Sequence, residues 1–163
     1  MKKIIAFAAV LAFISTSVLA AGPAKGTTWM GLSGGALLYQ KGGDPIKDLN
    51  IHVTYGKFMT DDIAVAGTLH INAIDPEFNV GLGLNAQYWK GIGDKMHFIG
   101  GLNIDLPVTP NFDAFASIDL GIAYWMSDNF GLTLIDRTSL GSLKNFNADA
   151  LRNDIVFGVV SFF

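Results

Sequence analysis

The sequence predicts an all-β chain, an eight-stranded antiparallel up-and-down transmembrane β-barrel preceded by a cleavable signal peptide. Three observations lead there. The chain opens on a short leader, two lysines followed by an apolar run. Beyond it, runs of about ten residues alternate in polarity and are separated by turn chemistry, the segment length of tilted membrane strands. The last run stops on an aromatic carboxy-terminal residue, with Ile155, Phe157, Val159 and Phe163 on one side of an extended chain and Ser161 interrupting them. A period-two strand that ends on Phe in an exported chain is the pattern of an outer-membrane barrel.

The bulk numbers bound the class. The chain has 163 residues and no cysteine, so one domain is expected, held without disulfides or a Cys-ligated metal. Half of it is apolar and the mean hydropathy is +0.38, which is high for a soluble protein. Part of that apolarity is the leader. Lys2 and Lys3 give a positive start, residues 4–14 are too short to span a bilayer as a helix, and Val18, Leu19 and Ala20 supply small residues for cleavage after Ala20 or Ala21. Residues 1–21 are therefore expected to be a signal peptide and 22–163 the barrel domain. Taking Lys2 and Lys3 from 11 basic residues leaves 9 against 14 acidic ones, a net charge of −5 that argues against a nucleic-acid partner. After residue 21 no apolar run approaches the ~20 residues of a membrane helix, so membrane insertion has to be by strands.

The first run, 28–40, sets Met30, Leu32, Ala36 and Leu38 on one face and ends at Lys41-Gly42-Gly43-Asp44-Pro45. The second, 49–59, sets Leu49, Ile51, Val53 and Tyr55 against Asn50, His52 and Thr54, before Thr60-Asp61-Asp62 turns the chain. In the third, 63–73, Ile63, Val65, Leu69 and Ile71 oppose Ala64, Ala66, Thr68, His70 and Asn72. The fourth, 78–89, is the most regular, with Phe78, Val80, Leu82, Leu84, Ala86 and Tyr88 against Asn79, Gly81, Gly83, Asn85 and Gln87; residues 90–95 then turn. The fifth starts at Met96 and runs to Leu106, and Pro107 to Phe112 connects it to the sixth, 113–126, where Ile118, Leu120, Ile122 and Tyr124 oppose Ser117, Asp119 and Gly121. The seventh, from Phe130 to about Thr138, loses its pattern at Asp136, and 140–153 reads as the longest loop before the terminal strand. Short turns alternate with longer connections, which sets both termini and the short turns at the periplasmic end.

A secreted soluble barrel or sandwich would alternate too, but its polar face would meet water and carry Lys and Glu. Here that face carries Gly, Asn, Thr, His and Gln, which suits a narrow lumen. Aromatic residues point the same way. Tyr55, Tyr88 and Tyr124 close the second, fourth and sixth runs, Phe163 closes the eighth, and Phe98 and Phe130 stand near the start of the fifth and seventh. All six fall at the periplasmic rim, as a membrane-interface girdle would.

The segments Tyr55-Gly56-Lys57-Phe58-Met59-Thr60-Asp61-Asp62-Ile63-Ala64-Val65 and Tyr124-Trp125-Met126-Ser127-Asp128-Asn129-Phe130-Gly131-Leu132 resemble the strand-turn-strand units of small outer-membrane barrels of the OmpX and OmpA-domain type. The resemblance implies a membrane architecture and leaves activity open. Its expected partners are outer-membrane lipids, lipopolysaccharide and the outer-membrane assembly machinery, which would read Phe157, Val159 and Phe163 on the last strand; the barrel itself is expected to be a monomer.

Candidate chemistry is confined to the lumen. A three-residue turn at 127–129 sets Asp119 opposite Arg137, an expected cross-strand ion pair with Asp105 on the neighbouring strand as a third member. Charges inside a barrel need partners whatever the function, so the pair reads first as lumen filling. Asp136 then falls toward the outer interface. The turn at Asp61 pairs Thr54 with Thr68 and His52 with His70 in the same way. No carboxylate is evidently placed to complete a site with these imidazoles, and His97 lies near the other rim, so the histidines read as polar filling and no metal or other cofactor is expected. Lipid A enzymes also occur on eight strands. The deacylase type needs His-x-Ser with a nearby Glu, whereas the nearest match is His52-Val53-Thr54 and the sole Glu, Glu77, is in a connection. The palmitoyltransferase type needs His, Asp and Ser near the outer surface, where Asp75 and Ser139 have no histidine beside them. The expectation is a non-enzymatic membrane component with a side-chain-filled lumen; a narrow conduit or small-ligand barrel is the alternative.

Overall fold

The computed structural model describes residues 23–41, 44–74, 77–108, 114–143 and 152–163. The expected signal peptide, residues 1–21, lies outside them. Eight strands follow in chain order: β1 Thr28–Lys41, β2 Asp44–Phe58, β3 Ile63–Ile74, β4 Glu77–Gly93, β5 Met96–Pro107, β6 Phe115–Ser127, β7 Phe130–Ser142 and β8 Arg152–Phe162. Each pairs antiparallel with the next, and β8 returns to β1 (Trp29 opposite Phe162, Gly34 opposite Phe157), so the sheet closes without an edge. Closure matters in a bilayer because lipid offers no partner to an unpaired backbone amide.

Side-chain alternation fixes which face looks out. Leu82, Leu84, Leu102, Leu120 and Phe157 are 54–64% exposed, while Asn103, His52 and Asp119 are 4%, 7% and 0% exposed. A soluble protein does not present a continuous belt of bare Leu, Ile and Phe around its waist with its amides and carboxylates inside. The belt is the lipid-facing surface. No helix among the described residues is long and apolar enough to cross a membrane.

The end of the barrel that carries the chain termini is tied by tight turns. Thr60 Oγ1 accepts from Ile63 N at 2.9 Å and from Asp62 N at 3.3 Å, a hydroxyl standing in for a backbone carbonyl in the β2–β3 turn. Asp94-Lys95 and Asp128-Asn129 make the other two. The chain ends are fastened to each other, Phe163 N donating to Thr28 O at 2.8 Å.

Several boundaries differ from the sequence reading. β4 continues past Trp89 to Gly93, with a register shift between Gly91 and Gly93 that takes up the lost alternation. β2 begins at Asp44, since Pro45 and Lys47 take their places opposite Gln40 and Leu38 without hydrophobic patterning. β7 runs on to Ser142 and β8 starts at Arg152, which shortens the expected 140–153 loop; residues 144–151 lie outside the described set. In β7 the polarity rule fails because Leu140 is an extra residue: Ser117 faces Ser139 while its neighbour Ala116 faces Gly141. Gly141 has φ +85°, a backbone turn that a side chain would resist, so the bulge keeps the ladder going where the pattern stops.

Candidate functional site: the lumen

The interior has two parts, and the lower one departs from the uniformly polar bore that the sequence suggested. Trp29, Phe58, Trp89, Trp125 and Phe162 converge at the end of the barrel that carries the short turns, each 7% exposed or less. Trp89 is the hub. Its ring centroid lies 5.9 Å from Trp29, 5.9 Å from Phe58, 6.0 Å from Phe162 and 6.1 Å from Trp125, the last stacked at 23° and the others edge to face. Trp125 and Phe162 are 4.6 Å apart. Such contacts add about 0.5–1.5 kcal/mol each to the burial of the rings themselves.

Glycines opposite the indoles make the room. Gly131 faces Trp125 across β6 and β7, and a Cβ there would stand 2.6 Å from Trp125 Cε3. Gly56 faces Trp29, where a Cβ would stand 2.6 Å from Nε1. Two indoles bond to the polar wall: Trp89 Nε1 donates to Gln87 Oε1 at 3.0 Å and Trp125 Nε1 to His97 Nδ1 at 2.8 Å. His97 thus caps the plug from the side of the short turns. Parity carried the signal for all of this, since Phe58, Trp89, Trp125 and Phe162 each fall in phase with the inward residues of their strand.

Above the plug the wall turns polar. Thr54 and Thr68, opposite each other on β2 and β3, share a hydrogen bond of 2.9 Å, and Asn85 Nδ2 donates to Thr68 Oγ1 at 2.8 Å. The next layer out holds the charged side chains. Asp119 and Arg137 are opposite on β6 and β7, and the guanidinium grips the carboxylate through both edges, Nε to Oδ1 and Nη2 to Oδ2, each at 2.8 Å. Its third arm, Nη1, reaches across the bore to His52 Nδ1 at 3.2 Å. His52 lies opposite His70, with ring centroids 4.7 Å apart at 64°. His70 Nε2 stands 2.8 Å from Asp105 Oδ1, close enough for an ion pair although not aligned as a straight hydrogen bond.

Two expectations are corrected here. The near partner of Asp105 is His70 rather than the Asp119/Arg137 pair, and the histidine pair does have a carboxylate beside it. The cause is Gly83, which sits on β4 between the strands of His70 and Asp105. A Cβ at that position would come within 2.5 Å of His70 Nε2 and 2.7 Å of Asp105 Oδ1, so only glycine lets the two side chains meet over it. The result is one line of contacts, Asp105 to His70 to His52 to Arg137 to Asp119, joining five strands across the lumen. Asp136, next to Arg137, points outward and is exposed.

Beyond this line the lumen opens as a cup of about 420 Å³, walled by Asn50, Asn72, Asn79, Ser117, Ser139 and Asp154 among others. Among the described residues no group of three His, Cys, Asp or Glu side chains is gathered closely enough to hold a metal ion. The remaining site candidates lie on the outside. Tyr55, Tyr88, Tyr124 and Phe98 are 59%, 43%, 47% and 37% exposed, and Phe130 and Phe163 are half-buried. On β8, Phe157 is exposed and Val159 half-buried on the same outer face.

No protein-family profile and no curated protein matches the chain. Solved structures do match. A de novo designed transmembrane β-barrel aligns with a TM-score of 0.64 at 8% identity, covering 85% of this chain and 97% of the design. The N-terminal β-barrel domain of Pseudomonas aeruginosa OprF aligns with a TM-score of 0.62 at 17% identity, covering 85% of this chain and 98% of that domain. The Yersinia pestis outer-membrane protein Ail, determined in a phospholipid bilayer nanodisc, aligns at 0.54 and 11% identity over 85% and 100% of the two chains. At these identities the likeness is one of fold. Together with the bare apolar belt it identifies the chain as an eight-stranded transmembrane β-barrel.

Proposed function

We propose that this protein is a closed barrel, a small structural component of the outer membrane whose lumen does not conduct. The aromatic plug carries the reading. Five large rings meet in a bore only eight strands wide, and a barrel of that size has an interior that side chains fill. The charge line above the plug is a second closure, since Arg137 spans from Asp119 to His52.

The finer resemblance to the OmpX and OmpA-domain type belongs to the same proposal, resting on the strand-turn-strand segments at 55–65 and 124–132. So does the monomeric state. Lipids and lipopolysaccharide would meet the apolar belt and the tyrosines at 55, 88 and 124, and the assembly machinery would take the outer face of β8 through Phe157, Val159 and Phe163. An enzymatic role on lipid A is the reading we set against it, and mass spectrometry of lipid A from cells with and without the protein separates the two. Unchanged acylation is expected.

Planar-bilayer conductance tests the closed lumen. The wild-type barrel is expected to be silent, and a Trp89→Ala, Trp125→Ala, Arg137→Ala triple variant, which removes both closures, to give resolvable steps. Steps from the wild type, abolished when Arg137 is changed to Ala, would favour a narrow conduit instead. The cup gives the small-ligand alternative its one specific support.

A further inference from the structure

We propose that the outward-facing cup above the charge line binds a small organic cation of the alkylammonium class. Among the described residues two carboxylates, Asp105 and Asp154, line it beside the Arg137 guanidinium, and the two imidazoles on its wall add positive charge only when protonated. Arg137 is already committed, with both edges on Asp119 and its third arm on His52. Asp154 lies opposite it across β7 and β8, and Asp105 stands against the His70 imidazole.

The wall has acceptors waiting for a donor. Ser117 is 4% exposed and lines the cup, yet its Oγ makes no hydrogen bond among the described residues. Asn72 Oδ1, also on the wall, is buried and likewise without a partner there. A buried oxygen left unpaired is costly, and an ammonium, with three N–H donors and no acceptor, suits carboxylate, amide oxygen and hydroxyl together. Among the described side chains an anion would find no uncommitted guanidinium. A bare metal ion would find no set of three ligating side chains within reach among the described residues. The volume, about 420 Å³, falls in the lower part of the range of small-molecule sites, roughly 300–1,000 Å³.

The experiment is isothermal titration calorimetry on the protein in zwitterionic detergent micelles, with putrescine as probe and 1,4-butanediol and succinate as neutral and anionic isosteres. Saturable one-site heat with putrescine and none with either isostere is expected. Asp105→Asn should weaken binding about tenfold, Ser117→Ala several-fold, and Asp136→Asn, on the lipid side of the wall, should leave it unchanged. Folding of each variant is checked by heat-modifiable gel migration; should Asp105→Asn fail to fold, Ser117→Ala decides. Absence of saturable heat, equal binding of the diol, or a wild-type affinity in Ser117→Ala overturns the proposal. The cup lies above the plug, so a conducting barrel would overturn the closed-lumen reading alone, while a silent barrel that ignores putrescine would overturn this one alone.

Discussion

The two halves of the lumen solve the same problem, filling a bore with side chains, by opposite means. The half at the short turns uses rings that need only volume, and two glycines give them space. The outer half uses charges and amides that need partners, and another glycine lets two of those partners touch. An apolar filling fails by leaving a cavity, whereas a polar filling fails by orphaning whatever remains. The two halves should therefore respond differently to single and double substitutions.

The largest effect is expected at the hub of the plug. Trp89→Ala removes a ring in contact with four others and should cost about 3–5 kcal/mol of stability. Urea unfolding from micelles reads it, and adding Trp125→Ala should deepen the loss because the second truncation enlarges the same void. Asp119→Ala should cost a comparable ~3–5 kcal/mol by stripping the buried Arg137 of both hydrogen bonds to its carboxylate. Here the double variant separates the halves. Asp119→Leu combined with Arg137→Met should unfold at a higher urea concentration than either single change, since neither member of the bidentate pair is left without the other. If the double is as unstable as the sum of the singles, the contrast between the halves is lost.

Smaller effects sharpen the picture. Leu84→Arg, on the bare outer face, should cost about 2–4 kcal/mol if that position lies near the bilayer midplane. Gly83→Ala pushes the ends of two flexible side chains apart without touching the ladder, and should cost about 1 kcal/mol as His70 and Asp105 separate. Lys90→Ala breaks an exposed 3.6 Å contact with Asp62 and should be near neutral in the same assay.

How much of this was legible in the sequence follows from what each feature depends on. Strand number, lipid face and cross-strand register are local, set by period-two alternation and by turn length. The facing of Asp119 with Arg137, and of His52 with His70, could therefore be written from the turns at 127–129 and at Asp61. The meeting of His70 with Asp105 is not local, because it joins strands that are not neighbours and exists through a missing side chain at Gly83. The plug was hidden for another reason. Trp89 and Trp125 follow the outward Tyr88 and Tyr124, so a rim aromatic of either parity resembles a membrane girdle, and only strict parity counting separates the two. Where β7 carries the extra Leu140 the alternation itself breaks, and the strand was read three to four residues short.

All three tryptophans of the chain, Trp29, Trp89 and Trp125, stand in the plug, so intrinsic fluorescence reports on that region alone. The direct test is quenching in bilayers, by brominated acyl chains from the lipid side and by acrylamide from the water side, with a Leu84→Trp variant as the lipid-exposed reference. The expected result is weak quenching of the native tryptophans by both agents and strong bromine quenching of the added one. Bromine quenching of the native tryptophans equal to that of the reference would mean that the faces are inverted, and strong acrylamide quenching would mean that water fills the bore where the rings should close it.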